Sequence, residues 1–203
     1  MRKARYENGF TLVELIVALI VTSIVTTAVV TLAYALDTVN DVTNETSKQQ
    51  AQIRFATVRI SDLIRHCKLV CGTPAGKLAV WRADDGDGKI NINELVYIER
   101  GTGNNYLRLC EFPSFDTSVV TLSDIETLST SGYDVKYVPL IPQCSSVEFY
   151  LDDPDSPPNS RLVSISFDVV ENGIARQCQI SATLRGWAGN LLDAEGNIVN
   201  DDD

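Results

Sequence analysis

From Phe10 to Leu36 the chain runs 27 residues with one charged side chain, Glu14. As a helix rising about 1.5 Å per residue, this run would be roughly 40 Å long, more than the roughly 30 Å hydrocarbon core of a bilayer. A single membrane span is therefore the first expectation. Upstream, Met1 to Gly9 carries Arg2, Lys3 and Arg5 against Glu7 alone. Positive charge flanking a span stays on the cytoplasmic side, so the N-terminus is expected in the cytoplasm and the remainder across the membrane.

Two kinds of N-terminal segment must be told apart. Ala33-Tyr34-Ala35 has the small-residue spacing of a secretory cleavage site. The apolar run before it, however, exceeds the roughly 7 to 15 residues of a signal peptide and holds an acid near its start. The junction itself reads differently. A short basic leader ends in Gly9, and Phe10-Thr11-Leu12-Val13-Glu14-Leu15-Ile16 follows. This strongly resembles the class III leader of type IV pilins and type II secretion pseudopilins. The resemblance implies a prepilin peptidase that cuts between Gly9 and Phe10 and methylates the new amine, and an apolar helix that stays as the anchor.

Glu14 would be the fifth residue of the processed chain. An unpaired carboxylate inside a membrane helix costs at least about 2.5 kcal/mol, so it calls for a partner. The freed amine of Phe10 is a cation at the same depth. The resemblance implies that Glu14 meets this amine on a neighbouring subunit during assembly; otherwise Glu14 would simply reach the cytoplasmic interface.

Beyond Leu36 the pattern turns polar, with Val39, Val42, Ile53, Ala56, Ile60, Leu63, Ile64 and Cys67 near helical spacing. No Pro or Gly interrupts Phe10 to Val70, which predicts one helix of about 55 to 60 residues. Where many pilins have a helix-bending proline, this chain has Thr31, so a straighter anchor is expected. Thr11, Thr22, Thr26, Thr27, Thr31 and Thr38 should bond back to helix carbonyls.

After Gly72 come β-rich runs bounded by turn formers: Lys77–Arg82, Leu95–Glu99, Tyr106–Phe112, Val119–Leu122, Val135–Val138, Val147–Leu151, Leu162–Val170 and Ile174–Leu184. The last two alternate apolar and polar residues around Asn172-Gly173, the signature of a tight hairpin. The expected fold is α+β, a long N-terminal helix packed on an antiparallel sheet. The expected divisions are a leader 1–9, a membrane half 10–36, an outer half of the helix 37–70, a β-rich domain 71–190 and an acidic tail 191–203 expected to be disordered.

One motif points to a metal. Asp84-Asp85-Gly86-Asp87-Gly88-Lys89-Ile90-Asn91-Ile92-Asn93-Glu94 partly follows an EF-hand loop. With Gly88 as the required glycine, Asp85, Asp87 and Glu94 fall at calcium-ligand positions and Asn91 at the one often served through water. Ala83 occupies the first ligand position, Asp84 would need a shifted backbone, and strands rather than helices flank the loop. A polar hairpin loop without metal is the other reading.

Cys67, Cys71, Cys110, Cys144 and Cys178 lie on the side placed in an oxidising compartment, and their odd number leaves at least one unpaired. A bridge between Cys67 and Cys71 would suit only a helix that ends there. His66 is the single histidine, which leaves little for multi-histidine zinc or triad chemistry; near the helix end it suits the helix dipole. A net charge of −10, or −12 once the leader is removed, argues against nucleic acid as a partner.

No phosphate loop, nucleophile elbow or catalytic carboxylate pair appears, so the expectation is a subunit and not an enzyme. The segment Cys178 to Asn190, with Thr183-Leu184-Arg185, resembles the closing strand of J-type minor pseudopilins, and the retained Glu14 is unlike the tip subunit that lacks it. The resemblance thus implies a minor pseudopilin, with prepilin peptidase, other pseudopilins or pilins, an inner-membrane assembly platform and the lipid bilayer as partners and the periplasm as the domain's location. A type IV pilus minor pilin and a membrane-tethered enzyme are the alternatives. Mass spectrometry of the membrane-extracted protein should find nine residues removed and a methylated Phe10. A bulky residue in place of Gly9 should leave the leader attached.

Overall fold

A computed structural model describes residues 10–101, 103, 105–128, 130, 132–171, 173–186 and 191. The chain divides into two compact units, one ending at Ser47 and the other beginning at Lys48. A 55-residue helix, α1 (Leu12–His66), runs through that boundary.

In the first unit every residue from Phe10 to Asp41 is exposed, including Leu12, Ile16, Ile20 and Val30. The helix is long and apolar enough to cross a membrane, with a mean hydropathy of 2.5 over its most apolar window. Its threonines behave largely as expected. Thr22, Thr26, Thr27, Thr31 and Thr38 donate to the carbonyls of Ala18, Thr22, Ser23, Thr27 and Tyr34 at 2.7 to 2.9 Å. Their hydroxyls are thereby satisfied without any partner outside the helix. Thr11 is the exception, and its contacts belong to the candidate site.

The second unit holds eight strands: β1 (Leu69–Gly72), β2 (Lys77–Trp81), β3 (Leu95–Arg100), β4 (Leu107–Glu111), β5 (Lys136–Ile141), β6 (Ser145–Leu151), β7 (Leu162–Glu171) and β8 (Ile174–Thr183). They form two antiparallel sheets, ordered β1-β2-β3-β4-β5 and β6-β7-β8. A short helix, α2 (Leu122–Thr127), lies between β4 and β5.

Three expectations need correction. The long helix stops at His66, not Val70, because Leu69 and Val70 pair with Trp81 and Val80 of β2. Val119–Leu122 is not a strand: Val119 forms a single bridge to Asn91, and Thr121 caps α2. The strands also form two sheets where one was expected. The β7–β8 hairpin forms as read, with Glu171 opposite Ile174 and Gly173 at φ 78°, the left-handed region that glycine enters without strain. Asn172, Gly9, Val42's side chain, Trp187 to Asn190 and the tail 192–203 lie outside the described residues.

Side-chain alternation sends each strand's apolar residues to two places. Leu78, Val80, Val96, Ile98, Leu107 and Leu109 join Ala56, Ile60 and Ile64 of α1 and Val163, Ile165, Phe167 and Ile180 of the second sheet in one core. Ala79, Trp81, Leu95, Tyr97 and Cys110 face the other way, against Ile90, Ile92, Phe112 and Ile125. The five-stranded sheet is covered on both faces, which is why β2 and β3 read as unbroken apolar runs. β8 reads as alternating because only one of its faces is buried.

On three neighbouring strands of the five-stranded sheet, Glu99 sits 8% exposed with Lys77 Nζ at 3.0 Å and Arg108 Nη2 at 2.7 Å. The Arg108 guanidinium in turn stacks 3.7 Å over the Tyr137 ring. Burial pushes the Glu99 carboxyl up, but the hydrogen bonds and charges of Lys77 and Arg108 outweigh it and hold the carboxyl below its ordinary value. Its contribution is therefore present at neutral pH and lost as the pH falls through that lowered value.

Ile60→Ala, at a position 1% exposed, should destabilise the protein by about 2 to 5 kcal/mol in urea unfolding. Val58→Ala, on the same helix but 69% exposed, should cost no more than about 0.5 kcal/mol. Glu99→Gln should weaken the protein at neutral pH and flatten the acid limb of its stability profile.

Candidate functional site

Two places in the chain concentrate groups that folding alone does not explain. The first is the start of α1. Thr11 precedes the helix, and its backbone N–H and hydroxyl both donate to Glu14 Oε2, at 2.9 and 2.8 Å. The Glu14 N–H donates back to Thr11 Oγ1 at 3.3 Å, and the Leu15 N–H to the Thr11 carbonyl at 3.2 Å. This is a reciprocal capping box, and it satisfies helix N–H groups that would otherwise lack acceptors. Its signal, Thr-x-x-Glu, stands in the sequence at Thr11-Leu12-Val13-Glu14. Glu14 thus has a hydrogen-bond partner inside the chain, Thr11, in addition to the outside partner that the resemblance implies.

The cap satisfies hydrogen bonds but supplies no positive charge. None of the ion pairs among the described residues involves Glu14. Phe10, 84% exposed, stands immediately before the cap, where a cut after Gly9 would create an amine. The arrangement thus presents a fixed carboxylate, pinned by Thr11, at the end of an apolar rod.

The second place is the connection from β2 to β3. Arg82 N–H donates to the Glu94 carbonyl at 2.9 Å, so the loop closes as a hairpin at the Trp81–Leu95 pair. Glu94, 7% exposed, is the centre of the loop. Its Oε1 accepts from Asp85 N–H at 2.7 Å, and its Oε2 from Trp81 Nε1 at 2.9 Å and Asn91 N–H at 3.2 Å. Asp84 Oδ1 accepts from the N–H groups of Gly86 and Gly88, Asp85 Oδ1 from Asp87 N–H and Asp87 Oδ1 from Lys89 N–H. Gly88 lies at φ 66°, the left-handed region, at the place where the spacing calls for glycine.

The structure gathers the acids in its own grouping. Carboxylate oxygens of Asp84, Asp85 and Glu94 lie within 4.8 Å of one another. Asp87 is not in that trio; its Oδ2 accepts from Asn91 Nδ2 at 3.2 Å. The same loop is braced from outside, with Ile92 N–H on the Ser118 carbonyl and Val120 N–H on the Ile90 carbonyl.

The sulfur groups come to nothing comparable. All five cysteines are free thiols, and Cys67 and Cys71 stay unbridged although the helix does end before them. Burial pushes the Cys67 thiol up to about 12 and that of Cys110 to about 11, which leaves both protonated and unreactive at neutral pH. His66 Nδ1 lies 2.9 Å from the Asp62 carbonyl and 3.1 Å from Asp62 Oδ1, in the last turn of α1 beside Arg65.

Comparison with known families finds the prokaryotic N-terminal methylation motif at residues 4–30. No curated protein and no solved structure matches the chain. The matched stretch covers Gly9, Phe10, the Thr11–Glu14 cap and most of the apolar helix, and antiparallel sheets follow a helix of this kind here as the α+β reading required. The basic leader and the acid fixed one turn into an uncovered helix thus fall within one stretch, and that stretch is similar to the prokaryotic N-terminal methylation motif.

Proposed function

We propose that the chain is a minor pseudopilin of a type II secretion system, drawn from the inner membrane into a short periplasmic pseudopilus. The observation that carries this reading is the methylation motif at residues 4–30, continuous with an apolar helix that nothing in its own unit covers. Its work is assembly and not catalysis. Prepilin peptidase cuts after Gly9 and leaves the amine of Phe10. Neighbouring pseudopilins and an inner-membrane assembly platform are its protein partners, and the bilayer holds α1 until extraction.

The physical step is a transfer of α1 from lipid to a bundle of like helices. Hydrophobic burial changes little in such a transfer, because lipid tails are as apolar as the side chains. Direction has to come from polar pairing. Glu14 carries one uncompensated charge, and the Phe10 amine of the next subunit supplies the opposite one in a medium of low dielectric. Support for a secretion subunit over a pilus subunit comes from the segment Cys178 to Asn190, with Thr183-Leu184-Arg185, which resembles the closing strand of J-type minor pseudopilins; Thr183 ends β8, and beyond it Leu184 N–H donates to the Arg161 carbonyl and Arg185 N–H to the Arg65 carbonyl.

The cap gives the test its control. Glu14→Gln keeps an acceptor for Thr11 and hence the capping box, but removes the charge; Glu14→Ala removes both. Both variants should reach the membrane in normal amounts. Both should lose at least about 3 kcal/mol of subunit association, more than about a hundredfold, seen as lost crosslinking and co-purification with the other pilin-like subunits. Assembly of Glu14→Gln at the parent's level would reduce Glu14 to a helix cap. Deleting the chain should stop an exoprotein from reaching the medium and leave surface pili intact; the opposite result would make it a pilus subunit.

A further inference from the structure

We propose that the groove between the last turns of α1 and the five-stranded sheet receives an acidic side chain of a neighbouring pilin-like subunit, an inference that rests on the assembly reading above. The groove lies wholly within the second unit. Arg59, Leu63 and His66 of α1 line one wall, and Arg82, Val96 and Glu111 line the other. Its volume, about 110 Å³, is well below the roughly 300 to 1,000 Å³ of a small-molecule site, so it admits a single side chain.

The local charge selects an acid. The chain carries 17 basic and 27 acidic residues, yet at this groove the balance is reversed. Arg59, Arg82 and Lys136 all converge on one carboxylate, Glu111, at 3.4, 4.0 and 3.9 Å. Of these contacts only the one from Arg59 is a hydrogen bond, and a long one. Val70 and Val80 are paired and both enter the core shared with α1, so two residues on, strand alternation puts Lys68 and Arg82 on that same face. Lys68 is exposed and enters none of the ion pairs among the described residues. The other acid at the groove, Asp62, is turned to His66, with Oδ1 3.1 Å from Nδ1. Four cations thus stand against two carboxylates, and a further carboxylate is what the site lacks.

The lining suits an acid whose stem is apolar. Leu63, Val96 and Leu109 belong to the core beneath the groove, and they offer methylenes a dry floor. Phe55, Arg59, Asp62 and His66 follow one another by four, three and four residues, so they stand on one stripe of α1. Phe55 is 53% exposed and continues the wall past its charged end. Arg59 and Arg82 present guanidinium forks, which match a carboxylate edge better than an ammonium does. The stripe belongs to the same helix that the assembly reading lays against neighbours. A contact made by charge in this way fixes partner choice and orientation more than strength.

The test uses the full chain expressed in the membrane with the other pilin-like subunits, with p-benzoylphenylalanine in place of Phe55 as a photocrosslinking probe. Light should join it to one of those subunits, and peptide mapping should place the attachment within a few residues of an Asp or Glu. Arg82→Gln combined with Lys136→Gln removes two charges at exposed positions, where ion pairs add little stability. That variant should melt like the parent and lose the crosslinked product at least about fivefold. Lys136→Arg alone, which keeps the charge, should retain it. Attachment only to lipid, or only to proteins outside the pilin-like set, overturns the inference, and so does an undiminished product in the double variant. The same probe in place of Val30, in the apolar part of α1, separates the two readings. A product from Val30 with none from Phe55 overturns the groove and leaves the assembly reading standing; no product from either position overturns both.

Discussion

Water cannot be the lasting neighbour of residues 12–36. Each exposed Leu, Ile or Val in that stretch forgoes about 1.5 to 3 kcal/mol relative to burial, and every residue from Phe10 to Asp41 is exposed within the chain itself. The cover must come from lipid or from other helices. This requirement divides the labour of one continuous helix. Its first part must find cover outside the chain, and its second part, through Ala56, Ile60 and Ile64, joins a core with two sheets. The chemistry at Glu14 matters because it sits in the part that has no cover of its own.

The long helix and most strands were legible because their causes are local. An unbroken apolar run, helical spacing and turn formers between β-rich runs are visible one residue at a time. The misses have non-local or competing causes. Leu69–Gly72 continues an apolar stripe with no breaker before it, and only its pairing with β2 ends the helix at His66. Val119-Val120 looked like a strand, but Thr121 and Asp124 form a capping box three residues apart and start α2 instead. The split into two sheets is a matter of which strands find each other, and no single run announces it.

At the candidate sites the residues stand out in the sequence more clearly than the contacts they make. Thr11-Leu12-Val13-Glu14 and Thr121-Leu122-Ser123-Asp124 are the same device, a threonine and an acid three residues apart that satisfy each other's end of a helix. At Thr121 the device only starts a short helix. At Thr11 it also fixes the position of the one acid in the apolar run. The acidic loop was found by spacing, yet the entry of Asp84 into the cluster depends on the fold of the hairpin.

The order β1-β2-β3-β4-β5 leaves β5 at one edge of the larger sheet, and β5 places Pro139 opposite Arg108. Proline offers no N–H, and Lys136 and Tyr137 on the same strand are exposed. An edge so interrupted is a poor template for a further strand, whether from a second copy or from a misfolded neighbour. Copies of the chain brought to high local concentration are thereby guarded against sticking to one another by sheet extension at this edge.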